Sequence, residues 1–253
     1  MTELLTDKAE ALASALARSR TGGPKTGLSV EHSGPLSAGQ AYQAQEALAQ
    51  RFGPVGAFKV ACKPGQPVIM APIYAADIRP SGHSFPTPKG EQIGIELEIG
   101  FRILRPLPQP STAEYRQRLR DCVSLVPVIE VVLTRLEDAE AASPMLRLAD
   151  NQLNGGLVVG PERADWQDLN LTQATATLDF GGTRVLDGTV PVPGGDAFES
   201  FCKLAEMTGS HCGGLQPGHV AITGSLNGLP YIDAGTTVKG CIEGLGEVSV
   251  SFP

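Results

Sequence analysis

The chain has 253 residues, 42% of them apolar and 19% charged, with a net charge of −7. This is the composition of a folded chain long enough to bury a sizeable core, in one large domain or two small ones. With a pI of about 5.1 and no basic stripe, nucleic acid and anionic membrane surfaces are not expected partners, and no apolar run reaches the length of a bilayer span.

Leu5, Ala9, Leu12 and Leu16 recur at helical spacing and predict an amphipathic helix over roughly residues 3–19. Residues 20–36, rich in Gly, Pro and Ser, read as a linker. Ser37-Ala38-Gly39-Gln40 has the capping-box pattern and starts a second helix to about Arg51. Phe58–Ala61 reads as a short strand. Pro and Gly are dense from Lys63 to Lys89, which predicts loop with short strands, a kind of segment that is often functional. After a strand around Glu96, a second capping box at Ser111–Glu114 predicts a helix to about Val123. A strand around Glu130 follows, then a loop over Ala149–Gly156, a strand at Leu157–Val159 and a strand-rich remainder broken by a helix near Asp196–Met207. The expected class is α+β with an antiparallel or mixed sheet: an N-terminal helical portion (1–55) packed on a β-rich body (56–253).

The chemistry concentrates in three glutamates. Ile93, Ile95, Leu97, Ile99 and Phe101 alternate with Gly94, Glu96, Glu98 and Gly100, so Glu96 and Glu98 project from one face of a strand. The flanking glycines are expected to leave room there for something to approach. Glu130 is the single charge in the run Val126–Leu133, where a carboxylate is costly to bury unless paired or bound to metal. A solvated face for the E-x-E pair and an arginine partner for Glu130 are the plain alternatives. Together on neighbouring strands the three would form an oxygen site for a hard divalent cation. Lys59, between Phe58 and Val60, is either a surface lysine or a cation near that cluster. Asp77 is either a turn residue or an acid/base group.

Other signals are weaker. Cys62, Cys122, Cys202, Cys212 and Cys241 are scattered and never C-x-x-C, which predicts buried free thiols in a reducing cytoplasm. The start of the chain has no basic region ahead of an apolar core, so no secretory signal is expected. His32, His83, His211 and His219 show no zinc spacing, and no dinucleotide loop, P-loop or G-x-S-x-G elbow occurs. Gly244-Leu245-Gly246 reads as a turn.

Taken in order, the segments resemble the 2-keto-4-pentenoate hydratase and 4-oxalocrotonate decarboxylase branch of the fumarylacetoacetate hydrolase superfamily. Phe58-Lys59-Val60 resembles that family's Tyr-Lys-Ile segment. Ile95–Phe101 resembles its E-x-E-I-A-F strand, and Val126–Val132 its P-A-L-E-I-V strand. Leu148–Gly156 resembles its A-D-N-x-x-x-G segment, Leu215–Leu226 its A-G-D-x-x-L-T-G-S-L segment, and Ile242–Val250 its closing strand pair. The resemblance implies a fumarylacetoacetase-like mixed β-roll/sandwich with peripheral helices, in a cytoplasmic homo-oligomer. It implies Mg2+ or Mn2+ held by Glu96, Glu98 and Glu130, with Lys59 and Asp77 catalytic and Asn154, Thr223, Gly224 and Ser225 against the substrate.

The implied substrate is a small 2-oxo or 2-hydroxydienoic acid, and the implied reaction is addition of water to a 2-hydroxy-2,4-dienoate to give a 4-hydroxy-2-oxoacid. Decarboxylation of a 2-oxo-3-hexenedioate shares the first half of that chemistry. Hydrolysis of an acylpyruvate, for which Glu31-His32 is the adjacent acid–histidine pair, and non-catalytic 2-oxoacid or metal binding are the further alternatives. The chain departs from the family pattern in three places. Ala61-Cys62-Lys63 stands for G-L-T, Leu133 for the acid of I-V-D-S-R, and Gln152-Leu153-Asn154 for small hydroxyl or thiol residues. These departures bear on the choice of substrate.

Overall fold

The computed structural model describes residues 2–31, 34–86, 90–110 and 114–253, with backbone alone for 2–6 and 30–31. His32 and the first three residues of the Ser111–Glu114 capping box lie outside these. The elements are α1 (Thr2–Arg20), α2 (Ala38–Phe52), β1 (Val55–Ala61), β2 (Ile69–Tyr74), β3 (Ile78–Pro80), β4 (Ile93–Ile103), α3 (Tyr115–Arg120), β5 (Val123–Val132), α4 (Pro144–Ala149) and β6 (Asn154–Val159). They continue with β7 (Gln173–Phe180), β8 (Thr183–Pro191), α5 (Ala197–Thr208), β9 (Val220–Ser225), β10 (Tyr231–Ile232), β11 (Thr237–Ile242) and β12 (Gly246–Ser251). No helix among the described residues is long and apolar enough to cross a membrane.

An eight-stranded mixed sheet runs β2-β1-β9-β4-β5-β6-β3, with β10 also pairing β4, and a four-stranded sheet runs β12-β11-β7-β8. The α+β class and mixed sheet expected from sequence are what the chain forms. In the large sheet β1–β9 and β3–β6 are parallel and the remaining pairs antiparallel.

The two faces of the large sheet have different partners. Ile93, Ile95, Leu97, Ile99, Phe101 and Ile103 of β4 enter the main core. There Phe101 stacks on Phe201 of α5 at 4.9 Å between ring centroids, and Trp166 meets it edge-on. The opposite face turns inward on itself. Ala57, Ile73, Val126, Val128, Leu157, Val159, Val220 and Ile222 form a separate apolar cluster, which Ile78 of β3 joins. Because β2 and β3 are the two outer strands of the sheet order, their meeting here shows the sheet coiled into a roll with its own interior.

β5 is buried along all its length, as a strand covered on both faces must be, which explains its nearly continuous apolar run. The small sheet fixes the rotation of β4. A Cβ on Gly240 of β11 would lie 2.6 Å from Leu97 Cδ1, so a glycine there lets Leu97 seat against the small sheet. Leu97 lies between Glu96 and Glu98, and seating it outward aims both carboxylates into the roll.

The glycines of β4 do not leave open space, contrary to the expectation. A Cβ on Gly100 would meet Val126, Val128 and Val220 at 3.0–3.2 Å, and one on Gly94 would meet Leu229 at 2.6 Å. The room they create is filled by the protein's own side chains.

Several local expectations need revision. Ser37 does form the capping box with Gln40 at the start of α2. α3, by contrast, has no side-chain cap at Glu114 and ends at Arg120, and Val123 already belongs to β5. Apolar content made that boundary unreadable, since a β-branched run suits a buried strand as well as a helix end. The Ala149–Gly156 loop is shorter than expected because β6 begins at Asn154. Within the expected loop after Lys63, Lys63-Pro64-Gly65-Gln66 closes the β1–β2 hairpin with a Gln66 N–H to Lys63 C=O bond of 3.1 Å and Gly65 at φ +72°. Pro and Gly at the two central positions are what a type II turn requires. Gly244 and Gly246, both at positive φ, flank the turn between β11 and β12.

Candidate active site

Strand register brings the three glutamates together. Glu96 of β4 lies directly opposite Glu130 of β5, and Glu98 opposite Val128, so all three share the inner face at one end of the roll. One carboxylate oxygen from each lies within 4.8 Å of the others. Glu130 is fully buried, Glu98 almost so, and Glu96 partly exposed.

Lys59 of β1 supplies the counter-charge. It is buried, and its Nζ donates to Glu130 Oε1 at 2.6 Å and to the Gln152 carbonyl at 3.3 Å. Asn154 Nδ2 also donates to Glu130 Oε1, at 2.7 Å, and to the Gly156 carbonyl at 3.3 Å. Glu130 Oε2 is buried and has no partner. The Gly224 N–H donates to Glu98 Oε2 at 2.7 Å.

The electrostatics are those of a site short of positive charge. Burial, then the neighbouring Glu130, pushes the Glu96 carboxyl up to about 7. Burial, then Glu130 and Glu96, raises Glu98 well above the carboxylate range. For Lys59 burial acts to lower the pKa, but the three carboxylates outweigh it and the net direction is upward. With all groups ionised, three carboxylates against one ammonium leave two negative charges in a buried pocket, a costly state without further cations. A divalent cation matches that deficit, and an unpartnered buried oxygen on Glu130 fits a ligand role; an all-carboxylate donor set favours hard ions over zinc or copper.

The other expected site residues make contacts of their own. The Thr223 hydroxyl is buried and donates to the Ile99 carbonyl at 3.0 Å. The Ser225 hydroxyl donates to the Gly228 carbonyl at 2.6 Å. Asp77 sits in a short 3-10 turn after β2, paired with Arg20 from the end of α1. That guanidinium also lies 4.7 Å from the Tyr74 ring centroid. Asp77, Arg20 and Arg79 line a pocket with Leu133 and Arg135.

Two features have no clear sequence signal. Asn151, Gln152 and Leu153 take φ of 49°, 50° and 63° in succession, a left-handed turn that costs about 1–2 kcal/mol per residue. It is held from several sides. The Asp150 carboxylate pairs with Arg135 Nε and accepts from the Arg135 N–H at 3.0 Å. Arg135 Nη1 reaches the Asn154 carbonyl at 2.7 Å, and Asn151 Nδ2 reaches the Tyr74 hydroxyl at 3.0 Å. The turn directs the Gln152 carbonyl at Lys59. Only the Asn at its start, a residue tolerant of this conformation, hints at it. The second feature is Arg20, a helix-end arginine that only tertiary packing brings to Asp77.

No family model matches the chain. It is 29% identical over 159 residues to 2-keto-4-pentenoate hydratase 1 of Dechloromonas aromatica (strain RCB), covering 62% of this chain and 59% of that protein. It is 27% identical over 184 residues to 2-keto-4-pentenoate hydratase of Burkholderia vietnamiensis, covering 71% and 68%. The chain thus matches 59% and 60% of the length of the two Dechloromonas relatives. Among solved structures, 4-oxalocrotonate decarboxylase from Pseudomonas putida G7, complexed with magnesium and adipate, superposes with a TM-score of 0.83 at 18% identity over 98% of both chains. Fumarylpyruvate hydrolase from Pseudomonas aeruginosa, with Mn2+ and pyruvate, gives 0.55 at 17% identity over 79% of this chain and 90% of that one. The fold is that of the fumarylacetoacetate hydrolase superfamily. In sequence the chain is similar to 2-keto-4-pentenoate hydratases and in fold to 4-oxalocrotonate decarboxylase, the branch that its motifs resemble.

Proposed function

We propose that the chain is a divalent-metal-dependent hydro-lyase that adds water to a 2-hydroxy-2,4-dienoate, giving a 4-hydroxy-2-oxoacid. The observation that carries this reading is the buried cluster of Glu96, Glu98 and Glu130, two charges short of balance with Lys59 beside it. The hydratase names of the curated relatives support the choice of reaction, and the magnesium and manganese in related folds support the class of ion. Glu96, Glu98 and Glu130 would hold the ion, which when bound supplies Lewis-acid polarisation to the 2-oxygen and carboxylate of a chelating 2-oxoacid.

The chain's own groups then have defined tasks. Asn154 and Lys59 both donate to Oε1 of Glu130 and so leave Oε2 available as a ligand atom. Gly224 holds one oxygen of Glu98 by its N–H. Lys59, with one N–H on Glu130 and another on the Gln152 carbonyl, has a third to offer the substrate. It serves to hold or move a proton as the dienol ketonises by gaining a proton at C5. Water then adds across C3–C4, its oxygen to C4 and its proton to C3. Asp77, paired with Arg20, is the second acid/base candidate.

The test is loss of dienol absorbance with 2-hydroxypenta-2,4-dienoate and Mg2+, beside the six-carbon dicarboxylic analogue. Turnover that EDTA abolishes, without release of carbon dioxide, is expected. Carbon dioxide release would replace the hydratase reading by a decarboxylase, and full turnover in EDTA would end the metal proposal.

A further inference from the structure

The left-handed turn at Asn151–Leu153 acts twice on Glu130. Its Gln152 carbonyl holds Lys59, and the chain leaves it at Asn154. Lys59 Nζ and Asn154 Nδ2 both donate to Glu130 Oε1. The turn therefore fixes which oxygen of Glu130 is occupied, and Oε2 is left without a partner. The state of that carboxylate depends on a backbone conformation that non-glycine residues disfavour, and such a conformation persists only while its surroundings hold it.

One of the holds is a single side-chain contact. Asn151 Nδ2 donates to the Tyr74 hydroxyl at 3.0 Å, whereas Asn151 Oδ1 is buried with no partner. Tyr74 is thus the one polar partner of the Asn151 side chain among the described residues. It ends β2 and is 2% exposed. Two helices grip its ring. Phe52 of α2 packs at 5.7 Å between ring centroids, and the Arg20 guanidinium of α1 lies 4.7 Å from the Tyr74 centroid. Arg20 also pairs with Asp77, in the 3-10 turn that Tyr74 leads into. A buried ring packed by a cation and a second ring presents its hydroxyl at a fixed point. The last turn of α1 braces the other hold as well. Ser19 Oγ donates to the Arg135 carbonyl at 3.1 Å, and the Arg135 guanidinium carries Asp150 and Asn154.

We propose that Tyr74 is a positioning residue for the cation site. Through Asn151 its hydroxyl holds the left-handed turn, which keeps Lys59 and Asn154 on one oxygen of Glu130 and the other oxygen available to the ion. This role rests on the metal-dependent reading given above.

Tyr74→Phe tests it, since the substitution removes the hydroxyl and keeps the ring. Calorimetry on the full chain is expected to show Mg2+ binding about fivefold weaker than in the wild type, the size of one neutral hydrogen bond. In metal-free protein, hydrogen exchange followed by NMR should speed up at two amides of the turn's own bonding. They are the Leu153 N–H, on the Asp150 carbonyl at 2.8 Å, and the Leu133 N–H, on the Leu153 carbonyl at 3.0 Å. Amides of β7 and β8 should keep their wild-type rates. Asn151→Gly removes the amide side chain and leaves the backbone free to take positive φ. It should weaken Mg2+ binding about as much as Tyr74→Phe does, and the double variant should be no weaker than either single one. Unchanged Mg2+ affinity in Tyr74→Phe, or losses that add in the double variant, would overturn the positioning role and leave the metal reading standing. Exchange that speeds up equally in β7 and β8 would mean general loosening of the fold and would also end the proposal. Wild-type protein that binds no Mg2+ removes the metal reading and this role with it.

Discussion

The inside of the roll has two ends built on the same strands and the same face. At one end Gly100, Val126, Val128, Val220 and Ile222 interlock so closely that a methyl on Gly100 would fit only if the valines around it gave way slightly. At the other, two to four residues along β4 and β5, sit Glu96, Glu98 and Glu130. The apolar end satisfies itself, since burial rewards contact without direction. The charged end does not. It retains an oxygen without a partner, carboxyls pushed towards protonation and one lysine for three acids. A protein that keeps such an end against its stability has a use for it, and the proposed cation and chelating acid are that use.

The largest effect should come from Glu130→Gln, which keeps the shape and removes a charge. Turnover is expected to fall by about 10^3-fold, several kcal/mol of lost electrophilic assistance, with a parallel loss of Mg2+ binding by calorimetry. Unchanged turnover would mean that the charged end is only a structural ion-pair cluster. Next is Ile222→Ala at the apolar end, expected to cost about 2–5 kcal/mol in urea unfolding while Mg2+ affinity holds. Equal losses of stability and metal affinity would show that the two ends are one unit.

The smallest effect is the pH response of the metal-free protein. A carboxyl raised in the fold from 4.5 to about 7, as for Glu96, stabilises the fold fully below pH 4.5. That contribution is lost as pH rises through 7 and amounts to at most about 3 kcal/mol. The melting temperature of metal-free protein should therefore fall between pH 5 and 8, and saturating Mg2+ should remove the fall. A flat metal-free profile would show that the glutamates are not crowded as the geometry indicates.

The sequence by itself determined the local logic of the site. Alternation along Ile93–Phe101 placed Glu96 and Glu98 on one face because strand side chains alternate, and the run around Glu130 marked a charge that had to be paired. The capping box at Ser37 was equally local. Tertiary structure decided what no spacing can encode. The β4–β5 register set Glu96 against Glu130, and the coiling of the sheet brought Lys59 from β1 to the same carboxylate. Leu97 against Gly240 fixed the rotation of the strand. The left-handed turn at Asn151–Leu153 was legible least of all, because residues that disfavour that conformation alone are held in it by Arg135, Tyr74 and Lys59. Propensity is a property of neighbours in sequence, whereas strain persists only through contacts with residues far away in the chain.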